Sequence, residues 1–178
     1  MLDANATDLP RAPIRSVDDK YIFPMAKQDF PALLIPGMHT LTVDELHNLA
    51  VLPFDADAQR QDLHQKLSLW MRGLQGAGVG GTLWIDGSFL TEKPGPADID
   101  CVLWHPRWKN GMSGTPDVVK QVERLLDHAS AMTFFGLDLY VEPLLPPEDT
   151  FHREAYWRGV LGFAHDRVTA KGFAEVFL

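Results

Sequence analysis

The run Ala97-Asp-Ile-Asp-Cys-Val-Leu-Trp104 limits the fold more tightly than any other segment of the chain. Side chains alternate faces along a strand, so Asp98 and Asp100 project to one side while Ile99, Cys101 and Leu103 project to the other. The segment therefore reads as a strand that hides an apolar set and presents two carboxylates together. Thr82-Leu-Trp-Ile-Asp86 is a second, shorter β-type run, and a turn-rich loop with Pro94, Gly95 and Pro96 separates the two. Within residues 134–141 the alternating Leu137-Asp-Leu-Tyr-Val141 predicts a third core strand, ended by Pro143 and the Pro146-Pro147 pair.

Helical signals lie around these strands. Thr42-Val-Asp-Glu45 has the pattern of a capping box and predicts a short helix that stops before Pro53. Over residues 56–75, Leu63, Leu67, Trp70, Met71 and Leu74 fall on one helical face, and the glycines between 76 and 81 are read as the helix stop. That glycine segment lacks the Lys-Ser/Thr ending of a P-loop. Thr115-Pro116 opens a second long helix over 116–130. The tail is open to two readings: 149–161 as an aromatic-rich helix, and 166–178 as a hairpin turning at 169–172.

A chain of 178 residues with 46% hydrophobic content suits one core. Residues 1–20 lack apolar periodicity and are expected to form a flexible arm, with 21–178 as a single domain. Pro24, Pro31 and Pro36 make the lead-in to residue 40 extended. A net charge of -8 argues against a broad basic surface that coats nucleic acid, although binding of a nucleic-acid end is compatible with it. Cys101 is the only cysteine, so an intramolecular disulfide and a CxxC zinc site are excluded and a reducing, cytoplasmic setting is expected. Neither a signal peptide nor an apolar run of about 18 residues is present, so no membrane partner is expected.

Two adjacent carboxylates repel unless protons or a cation neutralise them, and hard oxygen donors suit Mg²⁺ or Mn²⁺. Gly87-Ser88 follows the short strand where the chain must turn, and glycine permits close backbone approach while the serine hydroxyl and neighbouring amides can contact a phosphate. Metal-assisted phosphoryl transfer joins these two features, and a third acid would complete the site. Asp138 is the best candidate for it, with Asp86 and Glu142 as competitors. Lys93 can reach a phosphate from the loop, as can Lys171 beside Gly172. The scattered histidines His47, His64, His128, His152 and His165 receive no role. Trp70, Trp84, Trp104, Trp108, Phe134 and Phe135 read as core, while Tyr156 and Trp157 can line a base pocket.

The stretch from Trp84 to Leu103, with Gly87-Ser88, a spacer and Asp98-Ile-Asp100, resembles the signature of the nucleotidyltransferase superfamily that includes DNA polymerase β and the minimal nucleotidyltransferases. From Ile35-Pro-Gly-Met-His-Thr-Leu-Thr42 to Asp166-Arg and Lys171-Gly172, the chain also resembles a family of small uncharacterised bacterial proteins assigned to that superfamily. The resemblance implies an α/β (α+β) fold, a small mixed β-sheet with helices packed against it. It implies metal on Asp98 and Asp100, an NTP triphosphate at Gly87 and Ser88, and Asp138 as metal ligand and activator of the acceptor hydroxyl. The implied activity moves an NMP group from an NTP to an RNA end or a protein, and the implied setting includes a toxin–antitoxin or defence pair. The competing expectations are a catalytically inactive, antitoxin-like module of the same fold and a metal-dependent phosphodiesterase.

Overall fold

The structure, a computed structural model, describes residues 28–109 and 114–178, so the expected arm over 1–20 lies outside the described residues. The elements follow in the order β1 (Gly37–Thr40), α1 (Val43–Ala50), α2 (Ala58–Gly76), β2 (Val79–Asp86), β3 (Ile99–Trp108), α3 (Pro116–Leu126), α4 (His128–Phe135), β4 (Leu137–Glu142), α5 (Pro147–Leu161) and β5 (Gly172–Phe177). The strands form a five-stranded mixed sheet in the order β1-β5-β2-β3-β4. β2 runs antiparallel to both β3 and β5, whereas β3 with β4 and β1 with β5 are parallel. The α+β architecture expected from the sequence is the one observed.

Local chemistry explains most boundaries. Thr42 and Glu45 form the reciprocal capping box and α1 ends at Ala50, before Pro53. Asp57 caps α2, and the face read from the sequence, Leu63, Leu67, Trp70, Met71 and Leu74, is buried. These residues join Leu46, Ile85, Ile99, Cys101, Leu103, Ala131 and Leu139 in one core cluster on one face of the sheet. On the opposite face a smaller cluster of Trp84, Val102, Trp104 and Phe173 is covered by Trp157 and Leu161 of α5. The helix reading of 149–161 is thus correct.

Three expectations need correction. The helix expected over 116–130 is two helices, because Asp127 adopts an extended conformation and accepts from the Ser130 amide at 2.8 Å, starting α4. The glycines do not all terminate α2, since Gly80 and Gly81 belong to β2 at a register shift against β3. A Cβ at Gly81 would lie 2.9 Å from the Trp104 carbonyl oxygen, so only glycine lets the two backbones approach there. Finally, the C-terminal segment is not a two-stranded hairpin: a turn capped by Asp166 precedes a single strand, β5, which enters the sheet between β1 and β2.

Arg60 has the strongest hold on the fold. Its guanidinium is fully buried and donates from Nη1 to the carbonyls of Ala50 at 3.0 Å and Phe89 at 2.7 Å. From Nη2 it donates to Thr91 and, at 2.7 Å, to Lys93. Asp57 lies 3.5 Å from Nε and also accepts from the Gly95 amide at 2.8 Å. One helix turn thereby anchors the loop that follows Ser88. Arg60→Leu strands those carbonyls and the Asp57 charge, so urea unfolding should show a loss of about 3–5 kcal/mol with an unchanged m-value.

Candidate functional site

Strand register brings three acids into a row. Asp86, the last residue of β2, pairs with Asp100 of β3, and Asp100 pairs with Asp138 of β4. Cross-strand neighbours share a face, so the three carboxylates line one side, and the flanking Ile85, Cys101 and Leu139 enter the main core on the other. The row lies beside α5, whose Val160 and Leu161 line the clefts on both sides of Asp100. Asp98 is the residue before β3 and is half-buried, and it lines neither of the two clefts that meet at Asp100. Of the pair read from the sequence, Asp100 is therefore the central member and Asp98 the peripheral one, while the competitor Asp86 joins the row.

The backbone at Gly87 ties this row to the turn. Gly87 has φ 80°, and a Cβ there would lie 1.7 Å from Oδ2 of Asp100, so the Asp100 carboxylate rests directly on the glycine backbone. Ser88 then opens a short 3-10 turn to Leu90, and the Thr91 hydroxyl donates to the Ser88 carbonyl at 2.9 Å. Ser88, Lys93, Asp86, Asp100 and Lys171 line a cleft of about 420 Å³. Lys171 reaches across to Asp86, with Nζ 2.6 Å from Oδ2, and across the opening His165 pairs with Asp29 at 2.9 Å. Both lysines singled out from the sequence thus border the cleft that holds Gly87 and Ser88.

A second cleft of about 200 Å³ opens on the other side of Asp100, lined by Asp138, Tyr140, Tyr156 and Trp157 among others. Tyr156 and Trp157, the base-pocket candidates of the sequence, both line this cleft. The charge of Asp138, reinforced by burial and by Asp100, raises the Tyr140 hydroxyl above its usual range. His128, given no role by the sequence, places Nδ1 3.0 Å from the Leu139 carbonyl oxygen and 3.6 Å from Oδ1 of Asp138, with its ring tilted against Tyr140. Glu142 is withdrawn from the row. Burial alone would raise its pKa, but hydrogen bonds from Arg153 and Trp157 outweigh that and lower it. With Trp157 Nε1 donating to it at 2.6 Å, Glu142 fastens α5 to β4.

Among the described residues no three His, Cys, Asp or Glu side chains converge as a ready-made metal cage. The donor set instead suits an open site, since Mg²⁺ is usually held by one or two carboxylates with water and substrate phosphates completing its shell. Asp100 and Asp138, adjacent in register at the junction of the clefts, fit that pattern. None of the His128, Lys171 and Asp86 placements follows from sequence spacing, because each depends on strand order.

Residues 27–177 match a protein family of unknown function (DUF6932), and the chain belongs to that family. No curated protein and no solved structure matches it. No helix among the described residues is long and apolar enough to cross a membrane.

Burial is the largest influence on Asp86 and pushes its pKa from 3.8 up to about 6, against the lowering pull of Lys171 and with Asp100 adding to the rise. Because the folded state holds this proton more tightly, the contribution of Asp86 to stability is complete below pH 3.8 and is lost as pH rises through about 6. Carboxyl NMR should give a midpoint near 6 for Asp86, moving higher in Lys171→Met. A midpoint at the ordinary aspartate value would contradict this environment.

Proposed function

We propose that this family member is a metal-dependent nucleotidyltransferase that transfers a nucleoside monophosphate from an NTP to an acceptor hydroxyl and releases pyrophosphate. The observation that carries the reading is the packing of the Asp100 carboxylate on the Gly87 backbone with Asp138 beside Asp100 in register. The chemistry needs a phosphate-binding turn and paired hard-oxygen ligands at one point, and this is where the two coincide. Asp100 and Asp138, with Asp98 at the edge, would hold Mg²⁺ or Mn²⁺, and a bound ion supplies charge neutralisation on the attacking and leaving oxygens. Ser88, Lys93 and Lys171 orient the triphosphate, and Asp138 accepts the proton of the acceptor hydroxyl. The acceptor class under this reading is an RNA end or a protein side chain, in a cytoplasmic setting that includes a toxin–antitoxin or defence pair.

A second reading is an inactive module of the same fold that binds nucleotide or a partner protein, as an antitoxin-like subunit would. The absence of three converging acids among the described residues favours it. The open-site argument favours the enzyme, because substrate phosphates would complete the metal shell.

Calorimetric titration of each NTP, with and without Mg²⁺, separates the two. The enzyme reading predicts saturable, Mg²⁺-dependent binding that Asp98→Ala/Asp100→Ala abolishes and transfer of α-labelled nucleotide with release of pyrophosphate. NTP binding without transfer to any acceptor, or no NTP binding by folded wild type, would favour the module.

A further inference from the structure

The acidic row has two junctions, and they open to different clefts. Asp86 and Asp100 line the larger cleft together with Lys171, whereas Asp100 and Asp138 line the smaller one. Two-ion phosphoryl-transfer sites hold their ions about 3.5–4 Å apart on shared carboxylates, so a row of three acids offers a place for an ion at each junction. The first junction already contains a cation that the chain itself supplies. Lys171 places Nζ 2.6 Å from Oδ2 of Asp86, with the two side chains only 13% and 6% exposed.

The backbone around Lys171 is fixed from two directions. Its amide donates to the Gly162 carbonyl at 2.9 Å, and the amide of Gly172 donates to the Leu34 carbonyl at 3.2 Å. A Cβ at Gly172 would lie 2.1 Å from the Ile35 carbonyl oxygen, so the start of β5 is pressed against that segment. β5 runs antiparallel to β2, with Ala174 opposite Ile85, and its first residues therefore lie beside the end of β2 where Asp86 stands. A lysine ammonium is a compact, strongly hydrated point charge, the side-chain group closest in character to a metal ion.

A dication at this junction would have to share Asp86 with the ammonium and would be repelled by it. Asp86 has little else to offer: Oδ2 carries the lysine, and Oδ1 is buried without a hydrogen-bond partner among the described residues. The second junction is different. There Asp138 faces His128, whose side chain is 55% exposed and whose Nδ1 lies nearer the Leu139 carbonyl oxygen, at 3.0 Å, than Oδ1 of Asp138, at 3.6 Å. An exposed imidazole turned toward a carbonyl leaves that junction open to a divalent ion.

We infer that Lys171 takes the place of a second divalent ion, so that the site binds a single Mg²⁺ or Mn²⁺, at Asp100 and Asp138, while the ammonium on Asp86 supplies the other positive charge to the triphosphate. The inference rests on the nucleotidyltransferase reading and departs from the two-ion arrangement that shared carboxylates often support. Lys171 keeps its proton throughout. It offsets the charge on the pyrophosphate oxygen as the bond from that oxygen to the α-phosphorus breaks and the bond from the acceptor oxygen forms, the acceptor proton passing to Asp138.

The test titrates the full chain with Mn²⁺ in mildly alkaline buffer at saturating non-hydrolysable NTP, counting bound ions by equilibrium dialysis and reading their proximity by electron paramagnetic resonance. Wild type should bind one ion per chain and give the hyperfine-resolved spectrum of an isolated Mn²⁺. Lys171→Ala, which uncovers Asp86, should bind a second ion about ten-fold or more tighter than wild type does, with the broadened spectrum of a close pair. Lys171→Arg keeps the charge and should bind one ion, and Asp86→Asn/Lys171→Ala, which leaves no buried charge unpaired, should also bind one. Two ions on wild type, or a single ion on folded Lys171→Ala, overturn the inference, while the bound ion and nucleotide preserve the reading beneath it. The wild-type count and spectrum stand as a test even where Lys171→Ala fails to fold. Wild type that binds neither NTP nor Mn²⁺ removes the underlying reading and the inference with it.

Discussion

A buried guanidinium is costly unless its donors find acceptors, and Arg60 satisfies both terminal nitrogens by collecting carbonyls from a helix end and from a loop far along the chain, while Nε faces only the Asp57 charge at 3.5 Å. The consequence reaches the site. Phe89, Thr91 and Lys93, whose carbonyls Arg60 holds, are the residues immediately after Ser88, so the turn that faces the acidic row is anchored to α2 from beneath. The Phe54 ring packs at 4.1 Å against the guanidinium and closes it off from water. A loop rich in proline and glycine, which would otherwise sample many conformations, is held in one.

The sheet divides its two faces between different tasks. One is sealed by α1 to α4 and the large core, and the other carries Asp86, Asp100, Asp138 and Glu142 with α5 packed across it. Glu142 and Trp157 fix α5 against β4, and a cleft lies on either side of Asp100. Lys171 pairs with Asp86, and His128 lies beside Asp138 with its Nδ1 3.0 Å from the Leu139 carbonyl oxygen. Under the proposed function the Asp100–Asp138 junction is where a divalent ion and substrate phosphates would bind.

Elements whose signal is periodic were legible in the sequence. The buried face of α2, the capping box at Thr42 and the alternation through Asp100 follow from side-chain geometry alone. The break at Asp127 was not, because the apolar period runs on through Ala129 and a capping aspartate looks like a polar-face residue. The start of β2 was hidden by Gly80 and Gly81, which contribute no side-chain pattern although the close approach to β3 requires them. Asp138 could be named but not placed, since its neighbour in register depends on strand order. Arg60 had no local signal, because the loop carbonyls it holds lie distant in sequence, and Lys171, singled out as a phosphate contact, gave no sign of its pairing with Asp86 for the same reason.

The most direct measurement is an anomalous difference map from crystals grown with Mn²⁺ and a non-hydrolysable NTP. The account predicts a manganese peak between the carboxylates of Asp100 and Asp138, with the triphosphate running past Ser88 toward Lys93 and Lys171. Manganese bound away from both carboxylates, or a nucleotide seated outside the cleft at Gly87, would contradict it.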